Sequence, residues 1–173
     1  MQNSSKKNIK LYAIILIWFI SVVAGLVYFQ FSSISTFDPQ QKLLKNGWLD
    51  DFKKQTQWQN PSDAILTIVI DSECGCSKRS ADHVEQLTSL ANTYDVKVKV
   101  LDAAKMSKEL LPNRPGAVLV DSAGELAYAG PLSEGVACSS SNGFVELVMN
   151  NLQAGFNSRL TVTQAQGCYC RGS

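Results

Sequence analysis

The 173-residue sequence has a single histidine, His83, and almost no charge imbalance, with 16 basic and 15 acidic side chains. One histidine without a suggestive context gives no basis for a Ser/His/Asp catalytic set. Charges of both signs are interspersed, so the sequence lacks the basic surface typical of nucleic-acid binding. It also lacks a glycine-rich loop of the nucleotide-binding type. We therefore expect neither a nucleic acid nor a nucleotide among the partners.

The N-terminal part of the sequence holds a long apolar segment. Residues 11–29 carry no charge, and at about 1.5 Å per residue they give roughly 28 Å of helix, close to the thickness of a bilayer core. Three lysines precede this segment and the next charge is Asp38, which predicts residues 1–10 in the cytoplasm and the remainder in the periplasm. A cleaved signal peptide is the alternative, although its apolar region is usually shorter. We expect an uncleaved single-pass anchor in the inner membrane.

All of the cysteines follow the apolar segment, and four of them form two Cys-x-Cys pairs. They are Cys74, Cys76, Cys138, Cys168 and Cys170. In an oxidising compartment such cysteines form disulfides. Because their number is odd, at least one thiol stays free, binds a metal or pairs only transiently.

Apolar periodicity predicts the order of the secondary-structure elements. A strand–helix–strand unit implies a parallel pair of strands, and a hairpin adds antiparallel ones, so the predicted class is α/β with a mixed sheet. The domain is expected over residues 40–153, and residues 154–173 form a Cys-containing C-terminal tail. The predicted elements are a polar stalk (30–39), a helix (40–58), a strand (65–70), a helix (77–94), a strand (96–101), a short helix (104–111), two strands of a hairpin (116–120 and 126–129), a helix (142–152) and a short strand (160–163).

Three of these helices have an apolar face. The first helix is expected to pack on the domain, with a helix on the membrane surface as the alternative, and the apolar side chains of the last helix are expected inward. The apolar side chains are Leu44, Trp48 and Phe52 in the first helix, Val84, Leu87, Leu90 and Ala91 in the second, and Phe144, Leu147, Val148 and Leu152 in the last.

This order of elements resembles the thioredoxin fold. The resemblance rests on the strand that leads into Cys74 over residues 68–74, on the Arg114-Pro115 step before a strand, and on the hairpin over residues 121–130. It implies a thioredoxin-like mixed sheet flanked by helices, with Pro115 as a cis-proline beside the reactive cysteine.

Two short motifs give a closer resemblance. Cys74-Gly75-Cys76-Ser77-Lys78 with His83, and the terminal Gly167-Cys168-Tyr169-Cys170, are similar to those of membrane-anchored bacterial thioredoxin-like proteins of unassigned function, the DUF6436 type. The thioredoxin pattern is Cys-x-x-Cys. This sequence departs from it, because Cys74 takes the first position, Ser77 takes the second and Cys76 is an additional thiol.

The first functional hypothesis is thiol–disulfide exchange. A cysteine at a helix N-terminus has a lowered pKa; Lys78 and Arg79 act in the same direction and Glu73 opposes them. Cys74 and Cys76 are then the catalytic residues, and a disulfide between them is one geometrically allowed state. Cys138, Cys168 and Cys170 are candidates for resolving or structural disulfides, and we expect all five cysteines at one end of the domain. Electrons would come from protein dithiol partners, without a cofactor.

Metal binding is the second functional hypothesis. The five cysteines offer soft sulfur ligands for copper, zinc or an iron–sulfur cluster, and His83 is a further candidate ligand. One residue between two cysteines is tighter than usual zinc-site spacing. A purely structural role of the cysteines, as disulfides that hold the tail, is the third reading.

Overall fold

The computed structural model describes residues 3–32, 34–58, 63–103, 110–135 and 143–171. The chain divides into two compact units, Met1–Ile34 and Ser35–Ser173. The first unit contains helix α1 (Asn3–Ser32), in which Ile9–Tyr28 is long and apolar enough to span a membrane. The predicted apolar helix is therefore confirmed, while its orientation and cellular membrane stay predictions, since a signal sequence has the same character.

The second unit is built on a five-stranded mixed sheet. Its strands are β2 (Ile65–Ile70), β3 (Lys97–Asp102), β5 (Gly116–Val120), β6 (Leu126–Pro131) and β7 (Leu160–Thr161). They lie in the order β3-β2-β5-β6-β7. Strand β2 pairs in parallel with β3, and β5 runs antiparallel to both β2 and β6. Together with the helices flanking the sheet, this confirms the predicted thioredoxin-like α/β fold class.

Both faces of the central strands are covered, which explains the unbroken apolar run in β2. Alternate residues enter different cores, because side chains in a strand point to opposite faces in turn. Leu66 and Ile68 lie in a core with helices α4 (Ala81–Thr93) and α5 (Phe144–Gln153). Val69 lies in the second core, with helix α2 (Trp48–Gln55).

The tail takes part in two small antiparallel sheets, one with the segment after α1 and one with the segment before Pro115. Strand β1 (Ser35–Thr36) pairs with β8 (Gln166–Gly167), and β4 (Asn113–Arg114) pairs with β9 (Cys170–Arg171). Residues 35–38 are therefore part of the domain and not of the predicted stalk.

The reason for this difference is a buried pair of side chains next to β1. Phe37 and Asp38 are completely buried. The Asp38 carboxylate accepts hydrogen bonds from the backbone N–H groups of Lys42 and Leu43, at 2.9 and 2.8 Å. A single charged residue in a short polar segment gave no sign of this role.

Both predicted N-terminal helices of the domain are interrupted. The helix expected over 40–58 divides into a 3-10 turn (Lys42–Leu44) and α2, because Gly47 between them has φ +81°. Leu44 is consequently 55% exposed instead of inward. The helix expected over 77–94 divides into α3 (Gly75–Arg79) and α4, with Ser80 between them.

The inward face of α5 also differs from the prediction. Leu147 is 54% exposed, whereas Val145, Val148 and Met149 are buried. The buried stripe follows i, i+3, i+4 from Val145, and Leu147 is off that stripe. The predicted helix over 104–111 lies mostly outside the described residues.

Gly116, at the start of β5, has no room for a side chain. An added Cβ would lie 2.8 Å from Phe37 Cζ, 2.9 Å from Leu111 Cδ1 and 3.0 Å from the Gly130 carbonyl oxygen. We expect Gly116→Ala to lower the free energy of unfolding by about 1–3 kcal/mol in urea unfolding of the full-length protein. Gly75→Ala is the control, since nothing lies within 4 Å of its Cβ position. Equal stability of the two variants would contradict the prediction.

Candidate redox site

The first Cys-x-Cys pair lies where the central strand β2 gives way to helix α3. Cys74 is the residue before α3, with an extended backbone, and Cys76 lies within the helix. Several hydrogen bonds hold the connecting turn. Among them, the Cys74 N–H donates to the Asp71 carbonyl oxygen at 3.1 Å, and the Asp71 N–H donates to Ser77 Oγ at 3.0 Å. Ser77 is buried, so the position that a second thioredoxin cysteine would take supports the turn instead.

Each cysteine of the first pair forms a disulfide with a cysteine of the tail. Cys74 pairs with Cys170 and Cys76 pairs with Cys168, with Cα–Cα distances of 6.3 and 5.6 Å. The alternative disulfide between Cys74 and Cys76 is therefore not formed. Four of the five cysteines share one end of the domain, and Cys138 lies outside the described residues.

The tail reaches this site through backbone hydrogen bonds and one aromatic anchor. The Phe37 N–H donates to the Ala165 carbonyl oxygen at 2.9 Å, and the Cys168 N–H donates to the Gly135 carbonyl oxygen at 3.2 Å. Tyr169 packs edge-on against Phe37, with ring centroids 5.2 Å apart. Its hydroxyl donates to the Ser133 carbonyl oxygen at 3.0 Å. Non-covalent contacts thus hold the tail at this site in addition to the two disulfides.

Pro115 adjoins the site. The Arg114–Pro115 peptide bond is cis, and Arg114 lies opposite Cys170 in the β4–β9 register. Arg114 is buried, and desolvation lowers the pKa of its guanidinium while the carboxylate of Asp71 acts in the opposite direction. A buried guanidinium that interacts with the Asp71 carboxylate therefore lies in β4, opposite Cys170 in the strand register.

Arg79 places a second guanidinium at the site. Its Nη2 donates to Cys168 Sγ at 3.0 Å and lies 4.0 Å from Cys76 Sγ. The sequence pattern indicated Arg79 as a charge near Cys74, but not its contact with the tail. That contact joins positions 89 residues apart and leaves no local signal.

His83 is engaged elsewhere. Its Nε2 lies 2.6 Å from Glu146 Oε1, so that the pair joins the first turns of α4 and α5. His83 is buried and is not part of the sulfur cluster. Sequence reasoning did not single out Glu146; the acidic residue in the first turn of a helix was its only signal.

Tyr128 is a buried titratable side chain near Glu146 and Tyr169. Burial, and next the charges of Tyr169 and Glu146, raise the pKa of Tyr128 well above its ordinary value.

Comparison with known proteins assigns the family. Residues 44–172 match the family described as "Domain of unknown function (DUF6436)", a match over most of the chain. The chain belongs to the DUF6436 family. No curated protein matches the sequence.

Among solved structures, this DUF6436 chain is similar to the NTD_N/C domain of alkylhydroperoxide reductase AhpF from Enterococcus faecalis V583. The two share 17% identity with a TM-score of 0.32, over 53% of this chain and 46% of the other. The chain thus spans less than half of that structure.

The DUF6436 site brings three sulfur atoms into mutual proximity. The Sγ atoms of Cys74, Cys76 and Cys170 lie within 4.8 Å of one another, and Cys168 is bonded to Cys76. Two chemistries fit such a group. Paired sulfurs can exchange disulfides, and the same sulfurs as thiolates form a soft ligand set for zinc or copper(I).

Proposed function

We propose that this chain is a membrane-anchored thiol–disulfide oxidoreductase in which Cys74 and Cys76 exchange disulfides with the cysteines of the tail. The observation that carries the proposal is the group of three sulfurs within 4.8 Å, formed by Cys74, Cys76 and Cys170. Disulfide exchange proceeds by attack of a thiolate on a sulfur of a disulfide. A third sulfur beside a disulfide is placed for this attack, whereas a purely structural disulfide does not need a third sulfur nearby.

The proposed reaction takes two electrons from a protein dithiol. A thiolate of that partner attacks one disulfide of the site and forms a mixed disulfide, and its second thiol then resolves this bond. The partner leaves as a disulfide, while two sulfurs of the site become thiols. The reverse sequence, with Cys74 attacking a substrate disulfide and Cys76 or Cys170 resolving it, passes the electrons on.

The proposed location is the periplasmic side of the inner membrane, with residues 1–10 in the cytoplasm. Support comes from the lysines that precede the apolar helix and from two disulfides, which persist in oxidising compartments. Protease added to spheroplasts should degrade the domain, and the intact mass should include residues 1–29. Cleavage after the apolar segment would instead identify a signal peptide.

The reduction potential of the site tests the proposed function. Structural disulfides of exported proteins have potentials below about −300 mV, whereas exchange catalysts lie above this value. We expect at least one of the two disulfides of the full-length protein to equilibrate above it in dithiothreitol or glutathione buffers. If both disulfides stay oxidised below this potential, they are structural and the proposal fails.

Trapping of mixed disulfides distinguishes the roles of the cysteines. The reduced Cys76→Ser/Cys170→Ser variant should accumulate covalent adducts with an oxidised, unfolded protein substrate, because both candidate resolving thiols are absent. The reduced Cys74→Ser/Cys170→Ser variant should form at least about tenfold fewer adducts, because the attacking thiol is absent. Non-reducing electrophoresis with a thiol-blocking quench measures both. Equal yields from the two variants would contradict the assignment of Cys74 as the nucleophile.

Metal binding is the second candidate, and the same three sulfurs favour it in the reduced state. Thiol alkylation of the full-length protein before and after unfolding, combined with native mass spectrometry, separates the candidates. Two disulfides without metal support the oxidoreductase. A metal lost on unfolding, with most cysteines open to alkylation, supports a thiolate metal carrier.

A further inference from the structure

We propose that the two disulfides open in a fixed order: Cys76–Cys168 first, with Cys168 leaving as a thiolate beside Arg79, and Cys74–Cys170 second. This order rests on the exchange chemistry proposed above, but it does not depend on which protein supplies the electrons. Arg79 is thereby assigned as a positioning residue that selects the sulfur released in the first step.

Burial determines which sulfur of the first disulfide an incoming thiol reaches. Cys168 is only 3% exposed, enclosed by the Gly135 backbone and the tail, whereas Cys76 is half-buried. An external thiolate must approach along the S–S bond and displace the far sulfur. It therefore attacks Cys76, and Cys168 is the leaving group.

Charge favours the same leaving group. Arg79 Nη2 donates a hydrogen bond to Cys168 Sγ at 3.0 Å, closer than its 4.0 Å separation from Cys76 Sγ. A guanidinium in contact with a sulfur lowers the pKa of the thiol, and a thiol with a lower pKa leaves faster. Arg114, the buried guanidinium of β4, interacts with the carboxylate of Asp71.

Besides the half-buried Asp102, which accepts a hydrogen bond from the Ser72 N–H, four other charged side chains near these segments are exposed. They are Glu73 and Lys78 on the α3 side, Glu134 before the Gly135 bridge, and Arg171 at the end of the tail. Glu134 accepts a hydrogen bond from the Gln166 N–H at 3.4 Å. Arg79 is exposed as well, but its guanidinium is in direct contact with Cys168 Sγ at 3.0 Å. Solvent screens charges that act over longer distances more strongly, so Arg79 has the largest effect on Cys168.

The step balances with a dithiol as the reductant. One of its thiolates bonds to Cys76 Sγ, the Cys76–Cys168 bond breaks, and the electron pair goes to Cys168. The second thiolate of the dithiol then attacks its own partner sulfur and releases Cys76, so the reductant leaves as a disulfide. Cys76 is now a thiolate within 4.8 Å of both Cys74 and Cys170. The Cys76 thiolate is therefore placed to attack the Cys74–Cys170 disulfide, so opening of the first disulfide prepares opening of the second.

Time-resolved disulfide mapping tests the order. The oxidised full-length protein in detergent is mixed with dithiothreitol, quenched in acid with an alkylating reagent, and digested for mass spectrometry. We expect alkylated Cys76 and Cys168 to appear while Cys74–Cys170 is still intact. Earlier or simultaneous opening of Cys74–Cys170 overturns the proposal.

Arg79 variants test the cause of the order. Arg79→Gln should slow opening of Cys76–Cys168 by roughly threefold, the effect of about one pKa unit on a leaving thiol, and Arg79→Glu by about tenfold. Arg79→Lys should restore most of the rate. Lys78→Gln, which removes the same charge one residue earlier, should match the unaltered protein. The thiolate absorbance that follows the first opening should fall in Arg79→Gln at the same pH.

A double variant excludes a merely structural effect of Arg79. In Cys76→Ser/Cys168→Ser, only the Cys74–Cys170 disulfide remains at the site, and adding Arg79→Gln should leave its opening rate unchanged. Equal slowing of both disulfides, or of neither, overturns the role of Arg79. These experiments use a small dithiol as the reductant and not a protein substrate. The predicted order of opening can therefore be wrong while exchange with protein substrates is observed, and the order can be right while no such exchange occurs.

Discussion

Replacing both tail cysteines with serine is expected to lower the free energy of unfolding by about 7 kcal/mol, whereas either replacement alone costs only about 2 kcal/mol. The asymmetry follows from chain entropy. The disulfides join residues 96 and 92 positions apart, so the first to form closes a loop of nearly the whole domain, worth about 4.7 kcal/mol. The second then closes a ring of only a few residues, worth about 2 kcal/mol.

Urea unfolding of the full-length protein in detergent measures these values. Cys168→Ser and Cys170→Ser each keep one link between the tail and α3, so the two variants should have similar stability. The unaltered protein in excess reductant is the control, since it should match the double variant. Losses that simply add would contradict the shared-loop interpretation.

The central part of the fold could be predicted because its signals are local. The apolar run of residues 65–70 indicates a strand buried on both faces, and β2 has that environment. The parallel β2–β3 pair follows from the helical pattern between two strands, and the β5–β6 hairpin from the turn at residues 121–125. These features need only periodicity and turn chemistry.

The parts that could not be predicted depend on contacts between distant residues. Nothing near Phe37 indicates that its ring packs against Tyr169, at the far end of the domain sequence. The pairing of Cys74 with Cys170 rather than Cys76 is likewise set by the β4–β9 register. Spacing alone allowed the four cysteines to share one end of the domain, but left their connectivity open. Local ambiguity explains a smaller miss: Leu147 is apolar but off the buried stripe of its helix.

Tyr169→Ala is expected to lower the free energy of unfolding by about 3–4 kcal/mol under reducing conditions, where only non-covalent contacts hold the tail. The ring is buried against Phe37, which is 0% exposed, and its removal leaves a void between the tail and the second core. Tyr169→Phe is the matched control. It keeps the ring and loses only the hydrogen bond to the Ser133 carbonyl oxygen, about 1 kcal/mol.

The same pair of variants connects stability with the redox site. In the reduced protein, Tyr169 holds Cys168 and Cys170 near α3, which keeps their effective concentration toward Cys76 and Cys74 high. Intramolecular re-formation of both disulfides after removal of reductant should therefore be slower in Tyr169→Ala than in Tyr169→Phe, with rates independent of protein concentration in the control. Disulfide mapping during reoxidation measures this. Equal rates would mean that the backbone hydrogen bonds of β1 and β8 are sufficient to dock the tail, and that the aromatic anchor contributes stability without organising the thiols.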